Sequence, residues 1–357
     1  KKENAVMIEL KELLRMGVEK KASDIHITVG RAPSFRINGE MAPIDAEELT
    51  PEQTKQYARE CLGKEKFDEL VAEGEVDCSM TVPGVSRFRV NAFYQRGSIA
   101  IVFRVLASDI PTIDSLNLPP IIRELCKTKE GLILVTGPTG SGKSTTMAAI
   151  INEINRNKCG HILTLEDPIE YIFKHEKCIV NQREMGQDSK TYAKALRASL
   201  REDPDVIFIG EMRDIESISI AVTAAETGHL VLSTLHTLGA AKTLDRLIDV
   251  FPADQQQQIR VQVSGALKAV ISQRLIPDIN RKGRVAAFEI MIVTPAISNL
   301  IREGKTTGIN MCIQTGFNQG MQLMDKHIAD LYNEGRISRD DAYAFCVDKE
   351  AMRRYIG

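Results

Sequence analysis

Eight consecutive residues constrain this chain more than any others: Gly137-Pro138-Thr139-Gly140-Ser141-Gly142-Lys143-Ser144. They satisfy G-x4-G-K-[ST], follow the apolar run Leu132-Ile133-Leu134-Val135 and open a helical pattern at Lys143. Strand, glycine-rich turn and helix in that order form a phosphate-binding loop. Glycines let backbone N–H groups curl around phosphate oxygens with no side chain in the way. The helix start adds the positive end of its dipole. On this reading Lys143 reaches the β- and γ-phosphates, Ser144 ligates Mg²⁺, and Thr145 and Thr146 are further donors. The nucleotide set is Gly137, Pro138, Thr139, Gly140, Ser141, Gly142, Lys143, Ser144 and Thr145, with ATP and Mg²⁺ as cofactors.

The surrounding pattern is α/β. Short apolar runs at Ile162-Leu163-Thr164-Leu165, Val206-Ile207-Phe208-Ile209 and Leu230-Val231-Leu232-Ser233-Thr234-Leu235 alternate with helical stretches, the mark of a mainly parallel sheet. Each run delivers polar chemistry at its end: Glu166-Asp167-Pro168-Ile169-Glu170, Gly210-Glu211 and His236-Thr237 respectively. Ligands of open α/β sheets bind beyond the carboxyl ends of strands, so these ends and the phosphate loop point to one composite site. Glu211 has the position of a Walker B carboxylate and could hold Mg²⁺ through water. Glu170 lies on a turn after Pro168 and could orient an attacking water, a solvated acidic turn being the alternative. His236 could donate to the γ-phosphate and report its presence. His229, at the other end of the same strand, reads equally as a satisfied core histidine.

Before this region the chain has a different grammar. A helical stripe over 4–16, strand patterns at 23–29, 34–40, 86–93 and 98–104, and a helix from Pro51 to Ala72 suggest a small α+β domain ending near residue 106. A stretch with three prolines, Ser108 to Pro120, reads as a linker. After Glu289 the tail reads as helical, with Met321, Met324, Ile328 and Leu331 on one stripe and Ser338-Arg339-Asp340-Asp341 opening the last helix. Across 357 residues Lys+Arg 46 against Asp+Glu 48 disfavours a globally electrostatic nucleic-acid binder. Seven cysteines without a C-x-x-C argue against a disulfide framework or structural zinc. No apolar run approaches the ~18–20 residues that cross a bilayer, and a reduced cytoplasmic enzyme or motor is expected.

Together the phosphate loop, Leu165-Glu166-Asp167-Pro168-Ile169-Glu170-Tyr171, Asn181-Gln182-Arg183-Glu184, Asp203 to Asp214 and Thr227 to Thr237 resemble the secretion ATPase superfamily and, within it, the type IV pilus retraction ATPases. The resemblance runs from Ser23-Asp24-Ile25-His26 to the C-terminal helices. It implies a PAS-like domain (1–107), a linker (108–120), a RecA-like ATPase domain (121–290) and a helical region (291–357). It also implies a homohexamer that hydrolyses ATP between subunits to drive pilus retraction and twitching motility. The partners implied are an inner-membrane pilus platform protein and a paralogous retraction ATPase, with no nucleic acid and a peripheral place at the cytoplasmic face of the inner membrane. The resemblance implies Glu170 as catalytic base and Glu211 as Walker B carboxylate, with Arg89 and Arg104 closing on the nucleotide; with Lys143 and His236 read above, these are the expected catalytic residues. Arg183, Arg197 and Arg201 are weaker candidates for that interface. The family's Ala-Ile-Arg-Asn-Leu-Ile stretch is Ala296-Ile297-Ser298-Asn299-Leu300-Ile301 here, with serine in place of arginine. A related secretion or pilus-assembly ATPase is the nearest alternative, though the latter resembles longer chains with a tetracysteine insert. A DNA-translocating ATPase is the alternative from another class. Its best feature is Asn280-Arg281-Lys282-Gly283-Arg284, which also reads as a basic turn between strands.

Overall fold

The computed structural model describes residues 7–37, 39–106, 109–212 and 214–357. The expectations resting on Val6, Asn38, Ser108 and Arg213 lie outside the described residues. The chain divides into two compact units, Lys1–Asp109 with Glu170–Ile172, and Ile110–Ile169 with Phe173–Gly357.

In the first unit, α1 (Leu10–Glu19) buries Leu10, Leu13, Leu14 and Gly17, one face at helical spacing. Six strands follow, interrupted by one long helix: β1 (Asp24–Ile27), β2 (Ser34–Ile37), β3 (Glu40–Pro43), α2 (Pro51–Glu73), β4 (Glu75–Val82), β5 (Ser86–Gln95) and β6 (Ser98–Val105). They pair antiparallel in the order β3-β2-β1-β6-β5-β4. Thr50 and Gln53 form a capping box on α2, with Pro51 in its first turn. β3 and β4 were not expected. β3 is exposed along its whole length and so has no apolar alternation to announce it, while β4 alternates Val76, Cys78, Met80 and Val82 with polar residues, a strand period that went unread. Successive strand residues point to opposite faces. Ile25, Phe35, Val90 and Phe103 therefore enter the core, while Arg36, Asp24, Arg104, Arg89 and Ser79 form one row across the other face.

The second unit begins with α3 (Ile121–Leu125), then β7 (Gly131–Thr136), α4 (Lys143–Asn157), β8 (Gly160–Glu166), β9 (Cys178–Glu184), α5 (Tyr192–Ser199), β10 (Val206–Ile209), α6 (Ile215–Glu226), β11 (Leu230–Leu235), α7 (Ala240–Asp249), α8 (Ala253–Ala266), β12 (Leu267–Pro277) and β13 (Arg284–Ile292). The sheet order is β13-β12-β7-β11-β10-β8-β9. All neighbours are parallel except the β12–β13 pair. The four apolar runs are adjacent strands whose residues are wholly or nearly buried, as expected of a parallel sheet covered on both faces. β9 is missed, and β12 is expected only as a strand leading into the basic turn, because Asn181-Gln182-Arg183 and Ser272-Gln273-Arg274 break their apolar character.

The tail is helical as expected: α9 (Pro295–Arg302), α10 (Ile309–Thr315), α11 (Met324–Asn333), α12 (Arg339–Phe345) and α13 (Lys349–Ile356). Met324, Ile328 and Leu331 bury against Ile276 and Val285 of the β12–β13 pair, whereas Met321, expected on the same stripe, precedes α11 and packs into the core of the parallel sheet. Ser338 caps α12 by accepting from the Asp341 amide at 3.1 Å, so it opens the penultimate helix and not the last, which is α13. Among the described residues no helix is long and apolar enough to cross a membrane.

Candidate nucleotide site

Register explains how distant residues meet at the phosphate loop. β7 lies between β11 and β12, with Thr136 opposite Leu235 on one side and Ser272 on the other. The next residues along these strands are Gly137, His236 and Gln273. One strand further, Ser233 pairs with Ile209, and Ile209 with Leu165, so Gly210-Glu211 and Glu166 emerge at the same sheet edge. The loop itself depends on glycine geometry. Gly137, Gly140 and Gly142 have φ of 148°, 78° and 85°, values that side chains disfavour. α4 starts at Lys143 with no side-chain cap, leaving first-turn amides for another acceptor.

Lys143 is buried. Its ammonium donates to the carbonyls of Gly137 (2.9 Å) and Pro138 (3.1 Å) and lies 3.4 Å from His236 Nδ1. An ammonium can only donate, so Nδ1 is the acceptor and the ring proton sits on Nε2, which points at Glu211 Oε1 at 3.1 Å. Thr139 Oγ1 also lies 3.5 Å from Nδ1. Lys143, His236 and Glu211 thus form one polar chain from loop to strand end. His229, by contrast, is placed by α6: its Nδ1 faces the Ala224 carbonyl at 3.1 Å.

The acidic turn divides into a buried and an exposed part. Glu166 accepts from Thr164 Oγ1 (2.6 Å) and Gln182 Nε2 (3.2 Å). Gln182 Oε1 in turn accepts from the Phe173 amide at 2.8 Å, and Glu184 Oε2 from the Ile169 amide at 3.0 Å. The Asn181-Gln182-Arg183-Glu184 stretch therefore anchors the turn on both sides of Glu170, whose own side chain is exposed.

In the first unit Arg104 Nε donates to Asp24 Oδ1 at 3.0 Å. Arg89 stands directly opposite Arg104, a like-charge pairing that costs stability, and has no carboxylate partner among the described residues. Arg183 is paired with Glu202 and Arg197 with Glu216, so the charge of both is already matched. The basic turn does join two strands, β12 and β13. Arg281 pairs with Asp341 at 3.0 Å, and Arg284 donates to the Gly140 carbonyl at 3.3 Å. Ser298 donates to the Ser264 carbonyl at 2.7 Å and so ties α9 to α8.

The residues present fit a triphosphate. Ser141 Oγ is buried beside Gly137 without a hydrogen-bond partner among the described residues, a donor suited to an acceptor-rich ligand. Ser144 and Glu211 offer the oxygen ligands that Mg²⁺ prefers beside phosphates. Thr146 departs from expectation: its hydroxyl donates to Gln273 Oε1 at 2.7 Å, so its one proton is not spare for phosphate. A Cβ added at Gly137 would lie 2.3 Å from the Gln273 carbonyl oxygen and 2.6 Å from Ser141 Oγ. Gly137→Ala should therefore abolish measurable ATP binding and lower the melting temperature, whereas a Cβ at Gly140 meets nothing within 4 Å and Gly140→Ala should cost only the strain of its positive φ.

Three contributors had no role at the sequence level. Gln273 bridges loop and helix. Ser272 Oγ accepts from the Gly239 amide (2.8 Å) and Glu289 Oε1 from the Ala240 amide (2.7 Å), capping α7 just after His236. Burial raises the Glu289 carboxyl above its ordinary range, against the Ala240 and Met324 amides that lower it. Polar residues inside otherwise apolar strands were the available signal.

The description of one protein family, type II/IV secretion system protein, matches residues 1–341. The chain is 47% identical over 335 residues to the type IV pilus retraction ATPase PilT of Pseudomonas aeruginosa, covering 94% of this chain and 97% of that one. It is 41% identical to the type IV pilus ATPase PilU of the same organism, covering 98% and 91%. A crystal structure of the pilus retraction motor PilT with bound ADP superposes with a TM-score of 0.91 at 49% identity, covering 98% of this chain and 100% of the other.

Proposed function

The chain belongs to the type II/IV secretion system protein family, and from that premise we propose that it is an ATPase motor that drives type IV pilus retraction, and with it twitching motility. The observation that carries the chemistry is the chain Lys143–His236–Glu211 at a glycine-built phosphate loop. The similarity to PilT over nearly the whole length of both chains supports the task.

Lys143 exchanges its loop carbonyls for the β- and γ-phosphates, and the first amides of α4 donate beside it. Ser144 and, through water, Glu211 would hold Mg²⁺, which when bound neutralises charge on the phosphate oxygens. Glu170 orients and deprotonates the attacking water. His236 links the residue that meets the phosphate to the residue beside the metal, so it senses whether the γ-phosphate is present. Arg89 and Arg104 neutralise charge developing on the transferred group. Arg89 is free to do so, while Arg104 must first leave Asp24. The working form is a homohexamer at the cytoplasmic face of the inner membrane, acting on the pilus platform protein and alongside a paralogous ATPase.

Two measurements test this. Cells that lose the protein should be hyperpiliated and unable to twitch; normal piliation and motility would contradict the retraction role. Specific ATPase activity should fall steeply on dilution, because a site completed by a neighbouring copy empties of its partner. Constant specific activity down to the monomer would contradict the ring.

A further inference from the structure

We propose that Gln273 is a positioning residue for the phosphate loop, its single amide gripping the Ser141 carbonyl and the Thr146 hydroxyl at once. The inference rests on the nucleotide reading above and concerns how this chain holds that site in shape. Gln273 is 3% exposed and comes from β12, far along the chain from the loop it serves. Its Nε2 donates to Ser141 O at 2.7 Å, and its Oε1 accepts from Thr146 Oγ1 at 2.7 Å. The residues bracketed by those two anchors are Gly142, Lys143, Ser144 and Thr145, the ones expected to meet phosphate and metal.

The chemistry selects an amide. The Ser141 carbonyl needs a donor and the Thr146 hydroxyl an acceptor, and only a side chain with both serves the two together. A carboxylate would set negative charge against the Ser141 carbonyl and near a triphosphate. An ammonium could not accept. The turn is also built around this residue: a Cβ at Gly142 would come within 2.9 Å of Gln273 Nε2, and one at Gly137 within 2.3 Å of the Gln273 carbonyl oxygen. The glycines that give the motif its form thus leave room for a residue more than 120 positions away in sequence.

A loop released from these anchors holds the phosphates less well in the ground state and the transition state alike, which raises KM and spares kcat. The test uses the full chain and steady-state ATPase kinetics, fluorescent ATP-analogue binding and thermal melting on Gln273→Met, Thr146→Val and the double variant. Gln273→Met should raise KM and the analogue's Kd by about 10- to 100-fold, with kcat within about threefold, since it strands a buried carbonyl and a buried hydroxyl. Thr146→Val should raise KM by a few-fold, and the double variant should match Gln273→Met rather than the product of the two, because either change already removes their shared bond. A Gln273→Met protein that melts earlier but keeps the parent KM would reduce the residue to scaffold and overturn the inference. If Gln273→Met does not fold, Thr146→Val decides alone, and an unchanged KM there overturns it. Failure of the parent to bind the analogue would instead sink the nucleotide reading itself, and this inference with it.

Discussion

Glu170→Gln should bind ATP as the parent does and hydrolyse it about 10²–10⁴-fold more slowly, the usual cost of removing a positioned base. The change keeps the size and the polarity of the side chain and removes only its capacity to accept a proton. Because the Glu170 side chain is exposed, little of the fold depends on it. The backbone on either side is held independently by Glu184 at Ile169 and by Gln182 at Phe173. The measurement is kcat beside analogue affinity. Parent-like turnover would remove Glu170 from the mechanism and leave the phosphate loop assignment standing, since the two are argued from separate observations.

Lys143→Ala should weaken ATP binding by about 10- to 100-fold and leave no measurable turnover. A charge-assisted bond to phosphate is worth roughly 1.5–3 kcal/mol, and 1.4 kcal/mol is about a factor of ten. The same truncation opens space in a buried position and strips His236 Nδ1 of a donor at 3.4 Å. Some loss of melting temperature will accompany it, so binding must be compared on folded protein. Equal affinity in parent and variant would refute the site. The two variants separate the steps: one fails at binding, the other at hydrolysis.

Much of this site was legible before any fold was known, for a physical reason. The phosphate loop is local: strand, turn and helix follow one another within about 30 residues, and its glycines are required by backbone angles that the motif itself encodes. The carboxylate and histidine at successive strand ends were legible too, because parallel strands that alternate with helices deliver their ends to one edge. The first unit was harder. β3 buries nothing and so carries no apolar period, whereas β4 does alternate Val76, Cys78, Met80 and Val82 with polar residues, a signal that was present but not read. Arg89 and Arg104 entered only through resemblance, and the ion pair that occupies Arg104 could not be foreseen, since Asp24 reaches it by strand pairing across 80 residues.

The amino-acid order alone thus determined a nucleotide loop on an α/β scaffold, the strand ends that face it and the helical tail, because each is written in contiguous residues or in a repeating period. Which partners those groups take was decided by tertiary structure. Only the sheet order sets β12 against β7 and brings Gln273 under the loop. Only the same packing turns Glu166 inward onto Thr164 and Gln182 and leaves Glu170 outward. Hydrogen bonds between segments more than a hundred residues apart leave no period in a sequence, and it takes a folded sheet to bring their donors and acceptors within reach.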